Sequence, residues 1–237
     1  FQKIDVNGDR QWGDGIRVDP AEDVDFSARF SAGNNGDVNV IWERGTFPEI
    51  DIMFQNINSD GNYSLAEPIA ISNALGYQFA PILSGNSDVG LYAVYGDQSS
   101  GSIDLKVQYL STDYQPIWSD FGLTAMTGLD GDVNYTFPFR IADQDLYFIW
   151  EDNRATKKLY GTQITNTEIQ YDGGKQITFG DNSSSETDFS TPILTRTDTG
   201  IYTATFDGSS SPKFIRINKL DEQLNNVWDS SGVSLSA

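Results

Sequence analysis

The residues of this chain whose types and spacing could do chemistry are acids and arginines. Glu43, Asp97, Glu151, Asp152 and Asp207 recur after a large aromatic residue that closes an apolar run, and Arg44 stands beside the first of them. Two carboxyl groups about 5–10 Å apart suffice for glycoside hydrolysis, one as acid and the other as base or nucleophile. Gathered on one face, the same groups would bind cations or sugar hydroxyls, or form a solvated acidic rim. Arg29, Arg140 and Arg196 lie in candidate inner strands, where three guanidinium groups would either meet around an anionic substrate or make separate surface ion pairs. The segment NINSDGNYSLAE offers a third chemistry. Its Asn56, Asn58, Asp60, Gly61 and Glu67 fall at the first, third, fifth, sixth and twelfth places of a calcium-loop template, with Asn where the first carboxylate belongs. The alternative is a plain hairpin turn, which Asn-Ser-Asp-Gly-Asn also makes well. A weaker version, DVNGDRQWGDG, has Asp5, Asn7 and Asp9 but carries Ile16 where the bidentate acid is needed.

Composition removes other chemistries. The chain has 237 residues, 34 Asp and Glu against 15 Lys and Arg, a formal charge of −19, and no His or Cys. Without imidazole or thiolate there is no Ser-His-Asp or Cys-His nucleophile, no disulfide and no ordinary structural zinc site. So few cations in such an excess of acid make nucleic acid and anionic membrane surfaces poor partners. Apolar runs are only a few residues long, far short of the roughly 20 needed to span a bilayer, so membrane insertion is not expected. The sequons at Asn62, Asn134 and Asn182 are short motifs of low specificity.

The elements that must position these residues come from an internal repeat of about 54 residues. One column is the aromatic followed by acid or Gly: Trp42, Tyr95, Trp150 and Phe206. A second opens on Ile or Leu and closes on a large apolar residue, from Ile4 to Trp12, Ile57 to Leu65, Leu110 to Trp118, Ile164 to Tyr171 and Leu220 to Trp228. A third is Pro81, Pro138 and Pro192, with Ala28 in the first copy. Period-two alternation and turn residues between runs predict four strands per unit. They are A (27–33, 79–85, 137–142, 190–196), B (38–43, 90–96, 145–151, 200–207), C (51–57, 104–110, 158–164, 213–220) and D (near 12–18, 65–72, 118–125, 171–179, 228–235).

The fold class this predicts is all-β: a β-propeller of four-stranded antiparallel blades, with the five Trp packed between blades. Residues 1–237 read as one domain, with a half blade at 1–18 and blades at 27–72, 79–125, 137–179 and 190–235, about four and a half repeats. Five blades is the smallest ring and six to eight are larger alternatives. Phe1 begins inside a repeat, so the chain reads as a piece of a longer one, and the missing A and B pair is expected from elsewhere in that chain or from a partner strand.

Residues Gln2, Lys3, Ile4, Asp5, Trp12, Gly15 and Ile16, together with Trp150, Glu151, Asp152 and Arg154, resemble the W-x-D-x-R and Q-K-I-D-x-x-G-x-x-x-W blades of large secreted bacterial propeller proteins that use type IX secretion. The other copies are degenerate. The resemblance implies a secreted or cell-surface protein and no catalytic residue. STDYQPIW at 111–118 is also similar to the Asp-box of sialidase-type propellers, with Gln115 in place of Gly; that motif marks a turn between strands C and D. The expected function is non-catalytic recognition or assembly, with a protein or glycan at the cell surface as partner. The alternatives are a glycoside hydrolase or sialidase-like propeller, and a structural subunit whose half blade a neighbour completes. No cofactor is expected beyond the candidate calcium.

Overall fold

A computed structural model describes residues 1–19, 24–86, 89–119, 121–129, 139–141, 145–152, 158–165, 168–177, 189–207, 214–228 and 232–235. The strands are β1 (Asp25–Ala32), β2 (Val38–Thr46), β3 (Glu49–Ile57), β4 (Ile69–Ser72), β5 (Gln78–Asn86), β6 (Gly90–Asp97), β7 (Ile103–Leu110) and β8 (Leu123–Leu129). They continue as β9 (Phe139–Ile141), β10 (Asp145–Asp152), β11 (Lys158–Ile164), β12 (Lys175–Ile177), β13 (Phe189–Thr197), β14 (Gly200–Asp207), β15 (Phe214–Leu220) and β16 (Val233–Leu235). Each consecutive set of four forms one sheet in chain order, the A-B-C-D meander that the repeat predicts. The D strands start later than expected, because the residues after each C strand first make a turn.

The chain divides into two compact units, Phe1–Ser99 with Gln108–Gly122, and Ser100–Val107 with Leu123–Ala237. In the first, β2 buries both faces, as alternation demands of an inner strand. Ile41 faces a core with Ile52, Phe54, Ile71, Leu83, Leu91 and Tyr95. Val40 and Trp42 face the other way, with Met53 and Ile57, and are covered by Trp12, Ile16 and Val18. The opening segment therefore takes the place of a neighbouring sheet. It is a hairpin only: Gln11 donates its amide to Lys3 O at 2.9 Å and Ile16 to Phe1 O at 2.8 Å. Ile4 is 54% exposed, while its counterparts Ile57, Leu110, Ile164 and Leu220 are fully buried in the complete sheets. The second unit packs Tyr147, Ile149, Leu159 and Ile177 against Leu194, Ile201, Leu220 and Leu224.

Register corrects one repeat column. Each of β1, β5 and β13 carries a bulge, closed by the pairs Phe26 with Glu43, Phe79 with Gly96 and Ser190 with Phe206. Phe206 is thus level with Glu43 and Gly96, and the place of Trp42 is taken by the buried Thr205. The aromatic pattern misaligned by one because a single residue moves a side chain to the opposite face. Trp42 and Trp150 are buried, as expected, whereas Trp228 is 38% exposed.

A polar column was missed altogether. Two residues before each strand-ending Ile or Leu stand Gln2, Gln55, Gln108, Thr162 and Asn218. Gln108 accepts from the amides of Tyr109 and Trp118, both at 3.0 Å, and donates to Trp118 O at 2.9 Å. Gln55 does the same with Asn56 and Leu65, and Gln2 accepts the Trp12 amide at 2.9 Å. These amides supply the hydrogen bonds that the delayed D strand cannot make at that level.

Candidate functional site

The acids expected to form a rim lie in the last part of each B strand, Glu43 three residues before β2 ends and Asp97 at the end of β6, and the two whose side chains are described face inward. Glu43 is 3% exposed. Its Oε1 accepts the Ala80 amide at 2.9 Å, at the bulge of β5 where Ala80 has φ +50°. Burial pushes the Glu43 carboxyl above its ordinary range, against the opposing pull of that amide, the Ser27 hydroxyl and the charge of Arg29. The carboxylate ties the first sheet to the second. Asp97 is 2% exposed and closes its own turn, its Oδ1 accepting the Ser99 amide at 2.9 Å and its Oδ2 the Ser99 hydroxyl at 3.0 Å. An exposed acidic rim is thereby corrected for both. They are not equivalent either, since the level of Glu43 on the second sheet is Gly96, covered by the Phe79 ring.

Glu151 and Asp152 end β10 and pair with Leu159 and Lys158, and Asp207 ends β14 opposite Phe214. Their side chains lie outside the described residues, as do those of Arg140 and Arg196. The backbone still separates the arginines by register. Arg140 pairs with Leu146 and Arg196 with Ile201, the level that Ala32 holds opposite Val38, whereas Arg29 pairs with Ile41. Arg29 stands three residues from that level, on the other face by strand parity. Its guanidinium is exposed and donates to Ala28 O at 3.3 Å.

Arg44 makes the acid-rich cluster that sequence reasoning overlooked. It pairs across strands with Asp25 on β1 and Asp51 on β3, and its Nη1 lies 3.4 Å from Asp19 Oδ2. Asp25 Oδ1 accepts the Trp42 indole N–H at 2.9 Å. Burial, helped by the charge of Asp19, raises the Asp25 carboxyl, and burial raises Asp51. Writing the two hairpins in register would have set Asp25 and Asp51 on either side of Arg44, although they are far apart in sequence; Asp19 precedes β1 and register alone does not place it. Beyond it, at the same end of the strands, Phe47 is strongly exposed, edge-on to Tyr77 at 6.0 Å, and Tyr77 stacks on Phe79 at 5.0 Å.

The calcium-like segment folds as a turn common to every copy. Asn58 Oδ1 accepts the amides of Asp60 and Asn62 at 3.0 and 2.9 Å, and Asn58 N donates to Asn62 O at 2.9 Å. Asp5 and Asp221 hold the same turn, Ser111 does so through its hydroxyl, and Thr165 makes the shorter version. Asn56 is buried and bonds Asn39 and Ser64, while Asp60 and Glu67 point to solvent. Among the described residues no three His, Cys, Asp or Glu converge as a metal site. The ligand set read from spacing is therefore divided between turn and core.

The turn's fourth residue adopts a left-handed conformation, with Gly8 and Gly61 both at φ +88°, Tyr114 at +62° and Leu224 at +58°. Glycine does this without strain, so the other two are present for their side chains. Tyr114 packs on Phe54 of the preceding sheet at 5.3 Å, and Leu224 joins the Ile149–Leu159 core.

No protein family and no curated protein matches the sequence. Solved structures do resemble it in fold. Fructan 1-exohydrolase IIa from Cichorium intybus superposes with a TM-score of 0.54 at 10% identity over 90% of this chain and 45% of that one. The subtype N10 neuraminidase-like protein of A/little yellow-shouldered bat/Guatemala/060/2010 gives 0.52 at 11% identity, over 86% and 57%. Endo-1,5-alpha-L-arabinanase from Thermotoga petrophila RKU-1 gives 0.50 at 10% identity, over 89% and 60%. This chain thus spans between about half and three fifths of these structures. The likeness, with the four meander sheets, shows a β-propeller fold.

Proposed function

We propose that this chain is a non-catalytic recognition or assembly propeller of a secreted or surface-displayed protein, binding protein or glycan at the end of the sheets where B strands turn into C strands. The supporting observation is that Glu43 and Asp97, the recurring acids whose side chains are described, are buried and held by amides, whereas Phe47 is open to solvent at the same end. An exposed aromatic buttressed by stacked rings is a common anchor in recognition surfaces. A glycan array and capture from cell-envelope material test this reading, with Phe47→Ala expected to weaken capture by about tenfold. Turnover of any glycan by the purified chain sinks the non-catalytic part. On this reading the exposed Ile4 edge of the opening hairpin takes a partner strand.

The second reading, a glycoside hydrolase, is favoured by the Asp19, Asp25 and Asp51 cluster on a fold shared with a fructan exohydrolase and an arabinanase. A raised carboxyl beside a second carboxylate is the pair such hydrolysis uses. It predicts release of sugar from fructan or arabinan, abolished by Asp25→Asn or Asp51→Asn. Full activity in both variants removes it.

A further inference from the structure

Resting on the recognition reading and narrowing it to protein, we propose that the turn from β2 to β3 carries a docking surface for a partner segment that is apolar at its centre and basic around it. Every residue of this surface belongs to the first unit.

The surface is built around a hairpin tip. Gly45 pairs with Ile50 and Thr46 with Glu49, which leaves Phe47 and Pro48 as the two residues of the turn. On one flank Gly45 donates its amide to Val24 O at 3.0 Å. On the other, Ile50 donates to Gly76 O at 3.1 Å and Gly76 donates to Glu49 Oε2 at 2.9 Å, so residues 75–77 run beside the tip. Three apolar side chains are thereby brought to one end of the sheet. Val24 is 59%, Phe47 72% and Leu75 83% exposed. Adjacent strands stand about 5 Å apart, so the backbones that carry these residues span roughly 15 Å. Exposed apolar residues scattered singly mean little, but gathered on a tip that is tied from both sides they mark an interaction surface. Tyr77 holds the arrangement in place. Phe47 meets its ring edge-on, Phe79 stacks on it, and its carbonyl accepts the Gln98 amide at 2.9 Å.

The kind of partner follows from shape and charge. Val24 and Leu75 are branched aliphatics, which give a sugar ring neither a flat face nor a hydrogen bond, and which pack well against apolar side chains. Asp25 and Asp51 flank Arg44 on the strands that lead to the tip, Asp19 joins them, and Glu49 stands in the hairpin itself. Arg44 is paired with Asp19, and Arg17 and Arg44 are the cations that act on Asp25. Among these groups acids outnumber cations, on a chain whose net charge is −19. A rim of that sign selects Lys and Arg around an apolar centre and speeds their encounter.

Isothermal titration of the 237-residue chain with a short synthetic peptide that alternates Lys with Leu and Trp tests the proposal. The expected result is binding that weakens as salt is raised, and none by the same peptide with Glu in place of every Lys. Phe47→Ser and Leu75→Ser leave the charge untouched and should each weaken the Lys peptide by about tenfold. Val6→Ser, at a fully exposed apolar residue of the opening hairpin, should change nothing. Glu49→Gln keeps an oxygen for the Gly76 amide and should flatten the salt dependence. Equal binding by the parent, Phe47→Ser and Leu75→Ser, all melting as folded proteins, reduces the contact to general attraction between opposite charges and overturns the proposal. Binding of the Glu peptide as tight as that of the Lys peptide overturns it too. A Lys peptide that does not bind overturns the protein partner, and the recognition reading survives that result where a glycan binds through Phe47. Capture of glycan and peptide that is alike indifferent to Phe47→Ala overturns both.

Discussion

Glu43 shows how a residue type can promise chemistry and deliver structure. Its carboxyl is raised by burial, so the stability linked to it is fully present below the unfolded-state pKa and is lost as pH rises through the higher folded-state value. Glu43→Gln keeps an oxygen for the Ala80 amide and removes the buried charge. The expected outcome is a higher Tm at pH 7 and no difference from the parent at pH 3, read by thermal melts across pH. Gln108 makes the opposite case, a neutral residue of no apparent interest that carries three backbone hydrogen bonds. Gln108→Ala should cost about 2–3 kcal/mol in urea unfolding, since two amides and a carbonyl lose their buried partner. Neither role was legible in the sequence. Acids after an aromatic look alike there, and whether they point to solvent or into the next sheet depends on a bulge that shifts the register by one residue.

At the scale of elements, the recurring C-to-D turn does the work that the calcium template suggested for one copy. Asn58 Oδ1 already accepts two amides, so millimolar calcium is expected to leave Tm unchanged; a rise of several degrees would restore the calcium reading. Gly61→Ala and Gly101→Ala impose the same left-handed strain, about 1 kcal/mol. Only the first also drives a methyl into the Trp12 ring, so it should lose clearly more stability in urea. Leu224→Ala tests the other form of the turn and should cost about 2–3 kcal/mol, because the side chain is buried in the second unit's core. The turn was visible as a spacing of apolar residues, while its contact with the neighbouring sheet was not, because period-two patterning reports which face is buried and says nothing of what buries it.

For the whole molecule, the charge of −19 acts on every folded unit through self-repulsion. Raising salt from 10 to about 150 mM shortens the Debye length to about 8 Å and should raise Tm. A Tm that falls with salt would mean that favourable ion pairs outweigh the repulsion. Among the described residues no helix is long and apolar enough to cross a membrane. The fold likeness to an exohydrolase and an arabinanase extends to architecture alone at these identities, and function is decided by side chains grafted on it.

The sequence by itself determined the period, the four strands per unit and the opening hairpin, because burial of apolar residues at fixed spacing is a local and repeated requirement. It also determined what is absent, since no fold can supply an imidazole or a thiol. Only the tertiary structure decided which acids are buried, that Thr205 stands in the place of Trp42, and that Asp25, Arg44 and Asp51 meet. Those outcomes depend on bulges and cross-strand register, where one residue of slip exchanges the two faces of a sheet, and on which neighbouring sheet closes over each face.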